Sequence, residues 1–493
     1  MINKLGINPN CNLCKVFSFA FCHSFLLAET IDMNKLITVK SNNGNYYQYD
    51  FNSGILTSIS PHSFRKMDKV VRNRANELGL DSSYSFTPIR PQDIIFQFIN
   101  MPDLVFELTE RCNLRCDYCI YGEAYNNFAN RSETDLNPRV AKNIIDFIWE
   151  VFDQCNIGET EGVIGFYGGE PLLQFETIKE IIDYVKQKQI NSKLTFRYNM
   201  TTNAVLLSES IVDFLDKNNV ELLISLDGDK INNSFRHFAS GDNSFDVVIR
   251  NLDLLVKNHF EYFEKYVGFN SVIHKRNSKY EADSFIFGKY GKHPLLSDLD
   301  IVGMRENYKD LLQPVPIDKK DEKTMSIYGE DNISQNPVFS NAIRFMYNDL
   351  NYVYCSYIDF FLGKKRFWKP TGTCLPFGRK IFVNSKGFVY PCENVHNISP
   401  FGKVSEDACT IDFEQIAEDH NSILNKVAKI CYLCYRKYNC NLCVYNNIDV
   451  IHDDTCKYFM NRKNFESYLV EIITDLENHP DMFTKIIKRV SIA

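Results

Sequence analysis

From Leu104 onward the chain alternates short apolar runs with longer stretches in which apolar residues recur every three or four positions. The short runs Leu104–Thr109, Val163–Tyr167, Leu194–Thr202, Glu221–Leu226 and Asn270–Lys275 read as strands, with a sixth expected at Asp300–Met304. Between them Val140, Ile144, Ile145, Ile148 and Val151 fall on one face of a helix. Ile178, Ile181, Ile182 and Val185 mark a second helix, and Val248, Leu252 and Leu255 another. Alternating strands and helices predict an α/β fold with parallel strands. Over residues 100–310 such units build a barrel, with its active site on the loops that follow the strands. Six units rather than eight give a partial, open (β/α)6 TIM-like barrel that admits a large substrate from the side.

The pattern differs on either side of this core. Leu36 to Ile59 reads as three short strands: Ile37, Val39, Tyr47, Tyr49, Ile55 and Ile59 are strand formers, and Asn42-Asn43-Gly44 and Asn52-Ser53-Gly54 are turn signals. A helix follows, with Pro61 near its start and Phe64, Met67 and Val71 on one face. Residues 33–85 are therefore a small α+β unit. Residues 81–100, with Pro88 and Pro91, read as a linker or edge segment. Gln313 to Gln335 is polar without clear periodicity, so 311–369 is taken as an insertion or linker. Residues 370–460 form a cysteine-rich unit, and the tail 461–493 reads as helical.

Composition narrows the class. The chain has 493 residues, 44% of them hydrophobic, enough for two or three domains with real cores. A net charge of −7 offers no basic field for nucleic acid. The 16 cysteines cluster in tight spacings, which favours metal or cluster binding in a reducing cytoplasm over a disulfide framework. Val16 to Ala28 is apolar but short for a bilayer span, and no membrane role is expected. Met33 opens a stretch that reads like a natural protein start, so residues 1–32 are expected to be a mis-started or loosely held extension. Cys11 and Cys14 form a C-x2-C pair in it, a short metal motif that carries little weight alone, and Cys22 has no assigned role.

The chemistry concentrates at Cys112, Cys116 and Cys119, spaced C-x3-C-x2-C directly after the first barrel strand. Iron–sulfur clusters normally take four cysteine thiolates, so a compact trio leaves one iron of a [4Fe–4S] cluster open. Zinc, which usually takes four protein ligands in paired motifs, is the bland alternative. The second strand ends in Phe166-Tyr-Gly-Gly-Glu-Pro171, where Gly168 and Gly169 let backbone approach closely and Glu170 can accept from a cationic amine. The fourth ends in Ser225-Leu-Asp-Gly228 with Arg236 downstream. A hydroxyl and a guanidinium there can hold a carboxylate or ribose, although Asp227-Gly228 also suits a plain tight turn.

Together these motifs resemble the radical S-adenosylmethionine (SAM) enzymes. The resemblance implies that the open iron chelates SAM, which is cleaved to a 5′-deoxyadenosyl radical that takes a hydrogen from the substrate. It implies SAM contacts from Gly168, Gly169, Glu170, Ser225 and Arg236, with Tyr118 beside the cluster and adenine. Thr202-Asn203 resembles a Thr-Asn-Gly motif of the family, but Ala204 stands in place of the glycine. Cys374, Cys392, Cys431, Cys434, Cys440, Cys443 and Cys456 resemble the SPASM extension, which binds two auxiliary [4Fe–4S] clusters; the spacing before Cys443 is one residue short of the usual pattern. By analogy Cys431, Cys434, Cys440 and Cys456 hold one cluster. Cys374, Cys392 and Cys443 hold the other, with Cys355 as candidate fourth ligand. A zinc ribbon is the alternative for these pairs. The N-terminal unit resembles the peptide-binding winged-helix elements of peptide-modifying enzymes; a packing cap is the rival reading.

The implied function is a peptide maturase that forms a thioether or carbon–carbon crosslink in a ribosomally made peptide or protein. It would carry three [4Fe–4S] clusters, bind SAM and draw electrons from a flavodoxin or ferredoxin. The rivals are an anaerobic sulfatase-maturing enzyme, which makes formylglycine, and an electron carrier without SAM chemistry. No motif singles out a general base.

Overall fold

The computed structural model describes residues 36–51, 54–75, 86–100, 103–125, 132–155, 158–299, 304–312, 345–346, 375–393, 395, 398–437, 440, 442–445, 456 and 458–480. Cys11, Cys14, Cys22, Val16–Ala28, Gln313–Gln335, Cys355 and Cys374 lie outside them. The chain divides into two compact units. One comprises Met1–Pro88, Lys319–Thr373 and Ser422–Ala493; the other Ile89–Asp318 and Cys374–Asn421.

In the first unit β1 (Leu36–Lys40), β2 (Tyr46–Asp50) and β3 (Ile55–Ser58) form an antiparallel meander in the order β1-β2-β3. Gly44 (φ +90) and Gly54 (φ +68) take the left-handed conformations the two turns require. The helix α1 (Pro61–Ala75) starts where Ser60 Oγ accepts from Ser63 N at 3.1 Å and proline occupies the first helical position. The C-terminal helix α11 (Arg462–Asn478) packs on β1. Its Glu477 accepts from Ser41 Oγ (3.0 Å), Asn45 Nδ2 (2.9 Å) and Tyr47 OH (2.6 Å), so a C-terminal carboxylate clasps the first hairpin. Phe465 joins Tyr49, Phe51 and Tyr435 in one aromatic cluster.

The second unit opens with α2 (Pro91–Asn100), in a stretch expected to be a linker. Pro91 occupies the helix start, where a missing N–H costs nothing, and Ile94, Phe98 and Ile99 are buried. Six strands follow: β4 (Asp103–Glu107), β5 (Thr160–Tyr167), β6 (Leu194–Thr202), β7 (Glu221–Ser225), β8 (Val267–Ile273) and β9 (Leu295–Asp298), each parallel to the next. The helices α3 (Pro138–Cys155), α4 (Phe175–Lys188), α5 (Glu209–Lys217), α6 (Phe245–Asn258), α7 (Phe260–Tyr266) and α8 (Lys279–Tyr290) alternate with them. This is the partial (β/α)6 barrel. The sixth strand lies at Leu295–Asp298, ahead of the expected Asp300–Met304, of which residues 300–303 lie outside the described residues; Met304 makes an isolated bridge to Tyr125, just before α9 (Glu306–Leu312).

The sheet continues beyond β4. Strand β10 (Ile381–Val383) pairs parallel with β4, Phe382 opposite Val105. Strands β11 (Phe388–Tyr390), β12 (Gly402–Val404) and β13 (Cys409–Ile411) then extend it antiparallel to ten strands. The long helix α10 (Phe413–Leu433) leads to the second group of cysteines. Among the described residues, no helix is long and apolar enough to cross a membrane.

Candidate active site

Cys112, Cys116 and Cys119 lie on the loop leaving β4, and backbone bonds on both sides shape it. Leu114 bridges Phe238, Arg115 N donates to His237 O at 2.7 Å, and Asp117 N donates to Phe235 O at 3.1 Å. From the other side, Gly169 N donates to Thr109 O (2.8 Å) and Glu170 N to Arg111 O (2.9 Å). The paired glycines exist for this approach. Gly168 has φ +122, and a Cβ on Gly169 would lie 1.9 Å from Arg111 O. The close neighbour of the glycines is the protein's own cysteine loop, and both also line the cavity described below.

Glu170 is buried and multiply bonded. Oε1 accepts from Leu172 N (3.1 Å) and Thr202 Oγ1 (2.7 Å), and Oε2 from Asn203 N (2.9 Å). Burial raises its pKa, against the pull of those donors. It thus ties the end of β5 to the end of β6 as well as facing the cavity. Asn203 Nδ2 donates to Asn113 Oδ1 at 2.8 Å, tying β6 to the cysteine loop. Ala204, where the family pattern has glycine, holds φ +61, a left-handed conformation a Cβ disfavours. Asn251 Nδ2 secures this turn by donating to the carbonyls of Ala204 (3.0 Å) and Val205 (2.8 Å).

Beyond β7, Asp227 is wholly buried. Oδ1 accepts from Val272 N (3.0 Å); Oδ2 accepts from Arg236 Nε (3.0 Å) and the Tyr118 hydroxyl, and His274 Nε2 stands 3.4 Å away. Burial alone would raise its pKa, but Arg236, His274 and Tyr118 outweigh burial and hold it below the ordinary carboxylate value. Sequence reasoning left Asp227 as a turn residue and missed His274. An Asp-Gly pair does signal a turn, and only the tertiary partners reveal a buried charge.

One cavity of about 290 Å³ joins these groups. Its wall includes Cys112, Cys116, Cys119, Tyr118, Gly168, Gly169, Glu170, Asn203, Ser225 and Arg236, at the C-terminal ends of β5, β6 and β7 and on the loop after β4. Asn270, Val272 and Asp298 bring in β8 and β9, and Tyr121, Tyr125 and Tyr167 give it an aromatic side that the sequence reading did not assign. Its volume is near the lower end of small-molecule sites, roughly 300–1,000 Å³. Burial, opposed by Arg236 and helped by Cys119, Cys112 and Asp227, holds the Cys116 thiol up at about 12. Three half-buried thiols sharing one wall are a donor set that a metal would deprotonate. Leu114 N pointing at Cys112 Sγ (3.4 Å) suits a ligated sulfur. The residues fit an iron–sulfur cluster beside a pocket that combines aromatic and apolar walls with a few polar groups.

The C-terminal cysteines form a second group in the chain. Cys434 Sγ accepts from Arg436 N and Met460 N, both at 3.4 Å. Burial raises its pKa, those two N–H groups lower it, and Cys440 and Cys456 raise it. Cys434 N donates to Cys431 O at 3.2 Å. Cys392 follows β11, and Cys443 is half-buried like the others.

Comparison with known proteins gives a consistent picture. Residues 106–280 match the model of the Radical SAM superfamily. An uncharacterized protein of Methanocaldococcus jannaschii is 27% identical over 306 residues, covering 62% of this chain and 90% of the relative. The radical SAM cyclopropyl synthase TigE of Paramaledivibacter caminithermalis is 29% identical over 177 residues, only 35% of either chain. A cysteine-type anaerobic sulfatase-maturating enzyme of Clostridium novyi is 26% identical over 298 residues, covering 59% of this chain and 72% of that enzyme. The solved structure described as native anSMEcpe with bound AdoMet shares the fold, with a TM-score of 0.50 and 18% identity over 78% of this chain and 99% of the other.

Proposed function

We propose that this radical SAM enzyme is a peptide maturase that installs a thioether or carbon–carbon crosslink in a ribosomally made peptide or protein. The chain carries a radical SAM domain and is an enzyme related to the sulfatase-maturating enzymes and TigE. Its cofactors are a [4Fe–4S] cluster and SAM, which when bound supply the carbon radical that takes a hydrogen from the substrate. The observation that carries the site assignment is the single cavity shared by the three cysteines, Glu170, Asn203, Ser225 and Arg236.

In this reading Cys112, Cys116 and Cys119 hold the cluster, and the bonds from Gly169 and Glu170 fix their loop. Arg236 uses Nε for Asp227, and neither Nη nitrogen donates to a partner among the described residues. That fork suits a carboxylate. Ser225 and the Asn203 side chain present polar groups to the rest of the ligand, and Glu170 Oε2 favours a cationic amine. The tyrosines and Ile120, Leu114 and Leu299 keep water from the reacting centre. Cys431, Cys434, Cys440 and Cys456 would hold one auxiliary cluster. Cys374, Cys392 and Cys443, with Cys355 as candidate fourth ligand, would hold the other. Either would suit electron transfer, supplied from a flavodoxin or ferredoxin in a reducing cytoplasm.

The small β1-β2-β3 unit favours a peptide substrate, because its edge strand β3 can offer backbone groups to an extended chain. The competing reading is formylglycine formation on a sulfatase, favoured by the names of relatives. Anaerobic co-expression with candidate precursor peptides, followed by mass spectrometry, separates the two. Loss of two hydrogens per modification with linked fragments supports a crosslink; an aldehyde at a single Cys or Ser supports the competitor.

A further inference from the structure

We infer that Asp227 and His274 form a buried anchor that positions Tyr118 and Arg236, and that through these two side chains it sets how tightly the cavity holds SAM. The inference rests on the reading of that cavity as the SAM site.

A carboxylate removed from water is costly unless it is paired and hydrogen-bonded. The turn after β7 does not need one, since Gly228 with φ +127 can make it beside an asparagine. The charge of Asp227 therefore serves something beyond the turn. Its oxygens gather three separate segments. Tyr118 comes from the cysteine loop, Arg236 from the stretch pairing with that loop, and Val272 and His274 from β8 and its exit. The backbone of Asp227 is clamped too: its N donates to Asn233 Oδ1 (3.2 Å), and its carbonyl accepts from Asn277 Nδ2 (3.0 Å). Because Nε of Arg236 is held, the plane of the guanidinium is fixed and its two Nη nitrogens keep one direction. The guanidinium also lies 5.3 Å from the centre of the Tyr118 ring.

His274 is wholly buried and does not line the cavity. Nδ1 accepts from Arg276 N at 3.1 Å, which assigns the proton to Nε2, and Nε2 faces Asp227 Oδ2 at 3.4 Å, an electrostatic approach rather than a hydrogen bond. The ring packs 5.4 Å from Tyr118 and 4.7 Å from Phe235, centre to centre. His274 is thus a positioning residue that acts through Asp227.

The test uses the full chain after anaerobic reconstitution, comparing wild type with Asp227→Asn and His274→Gln. Iron content, SAM affinity by equilibrium dialysis and the change in the reduced cluster's electron paramagnetic resonance spectrum on adding SAM are measured. Asp227→Asn is expected to keep wild-type iron and weaken SAM binding about tenfold or more; His274→Gln weakens it about threefold. The spectral change should need correspondingly more SAM but reach the same end point. On an Arg236→Ala background His274→Gln should add less than about twofold, because the part of its effect that passes through the guanidinium is already lost and only the part through Tyr118 remains. Unchanged affinity in both single variants overturns the anchor, as does an equal loss for His274→Gln with and without Arg236. If Asp227→Asn does not fold, the His274 and Arg236 cycle decides alone. Failure of the wild type to bind SAM overturns the reading of the cavity itself, and the anchor's purpose with it.

Discussion

Gly169→Ala tests whether the cysteine loop is held by the Gly-Gly turn. An added Cβ would sit 1.9 Å from Arg111 O and 2.6 Å from Arg111 C, and both atoms are backbone, so no rotamer change relieves the contact. Restoring normal separation moves the loop by more than about 1 Å. That movement endangers Gly169 N to Thr109 O and Glu170 N to Arg111 O, each worth about 0.5–1.5 kcal/mol. Overpacking adds about 1–3 kcal/mol, for a total of roughly 2–6 kcal/mol. Arg111 immediately precedes Cys112, so the strain reaches a candidate ligand directly. A misplacement of about 1 Å can cost about a hundredfold in rate. Gly169→Ala should therefore lose iron from the first cluster and nearly all 5′-deoxyadenosine formation, while the C-terminal clusters stay loaded. Gly288→Ala, in α8 with open space around its Cβ, is the control and should be neutral or mildly stabilising. Wild-type iron and turnover in Gly169→Ala would refute the reasoning.

Four further outcomes are expected. Glu170→Ala leaves the donors of Leu172, Thr202 and Asn203 without their acceptor; it should destabilise by about 3 kcal/mol in urea denaturation and weaken SAM binding while iron stays bound, and unchanged SAM affinity would contradict this. Ala204→Gly relieves a φ of +61 worth about 1–2 kcal/mol, partly offset by added unfolded-state entropy, so a rise of about 0.5 kcal/mol in unfolding free energy is expected, and a fall would count against strain there. Burial raises the pKa of Glu107, so its protonated form contributes stability that is complete below the unfolded value of 4.5 and lost as pH rises through the folded value; Glu107→Gln should gain on wild type as urea midpoints are compared from about pH 5 to 8, and a flat difference would oppose this. Cys434→Ala should lower the iron count by about four, leaving SAM cleavage without substrate intact, and retained iron with bound zinc would support a ribbon instead.

Much of this was legible in the sequence because the barrel strands are locally encoded. Strand β6 spans Leu194–Thr202 as its pattern predicts, with alternate burial along its length. The sixth strand was misplaced because β9 is an edge strand with no buried position, so burial leaves no mark on its residues. Helix α2 was hidden because Pro88 and Pro91 read as breakers, although proline is welcome at a helix start. Strand β10 pairs with β4 across almost the whole barrel, and three residues, Ile-Phe-Val, carry no sign of their partner. In the site, the cysteines and Gly-Gly-Glu stood out by spacing. Asp227 and His274 did not, because their meaning lies in contacts between segments that local pattern cannot connect.

The most direct measurement replaces Cys112, Cys116 and Cys119 together with alanine and follows iron and 5′-deoxyadenosine after anaerobic reconstitution with SAM and a low-potential reductant. The account predicts about twelve irons and steady 5′-deoxyadenosine formation in the wild type. In the variant it predicts about eight irons, retained SPASM-type cluster signals and no 5′-deoxyadenosine. Continued 5′-deoxyadenosine formation by the variant would contradict it.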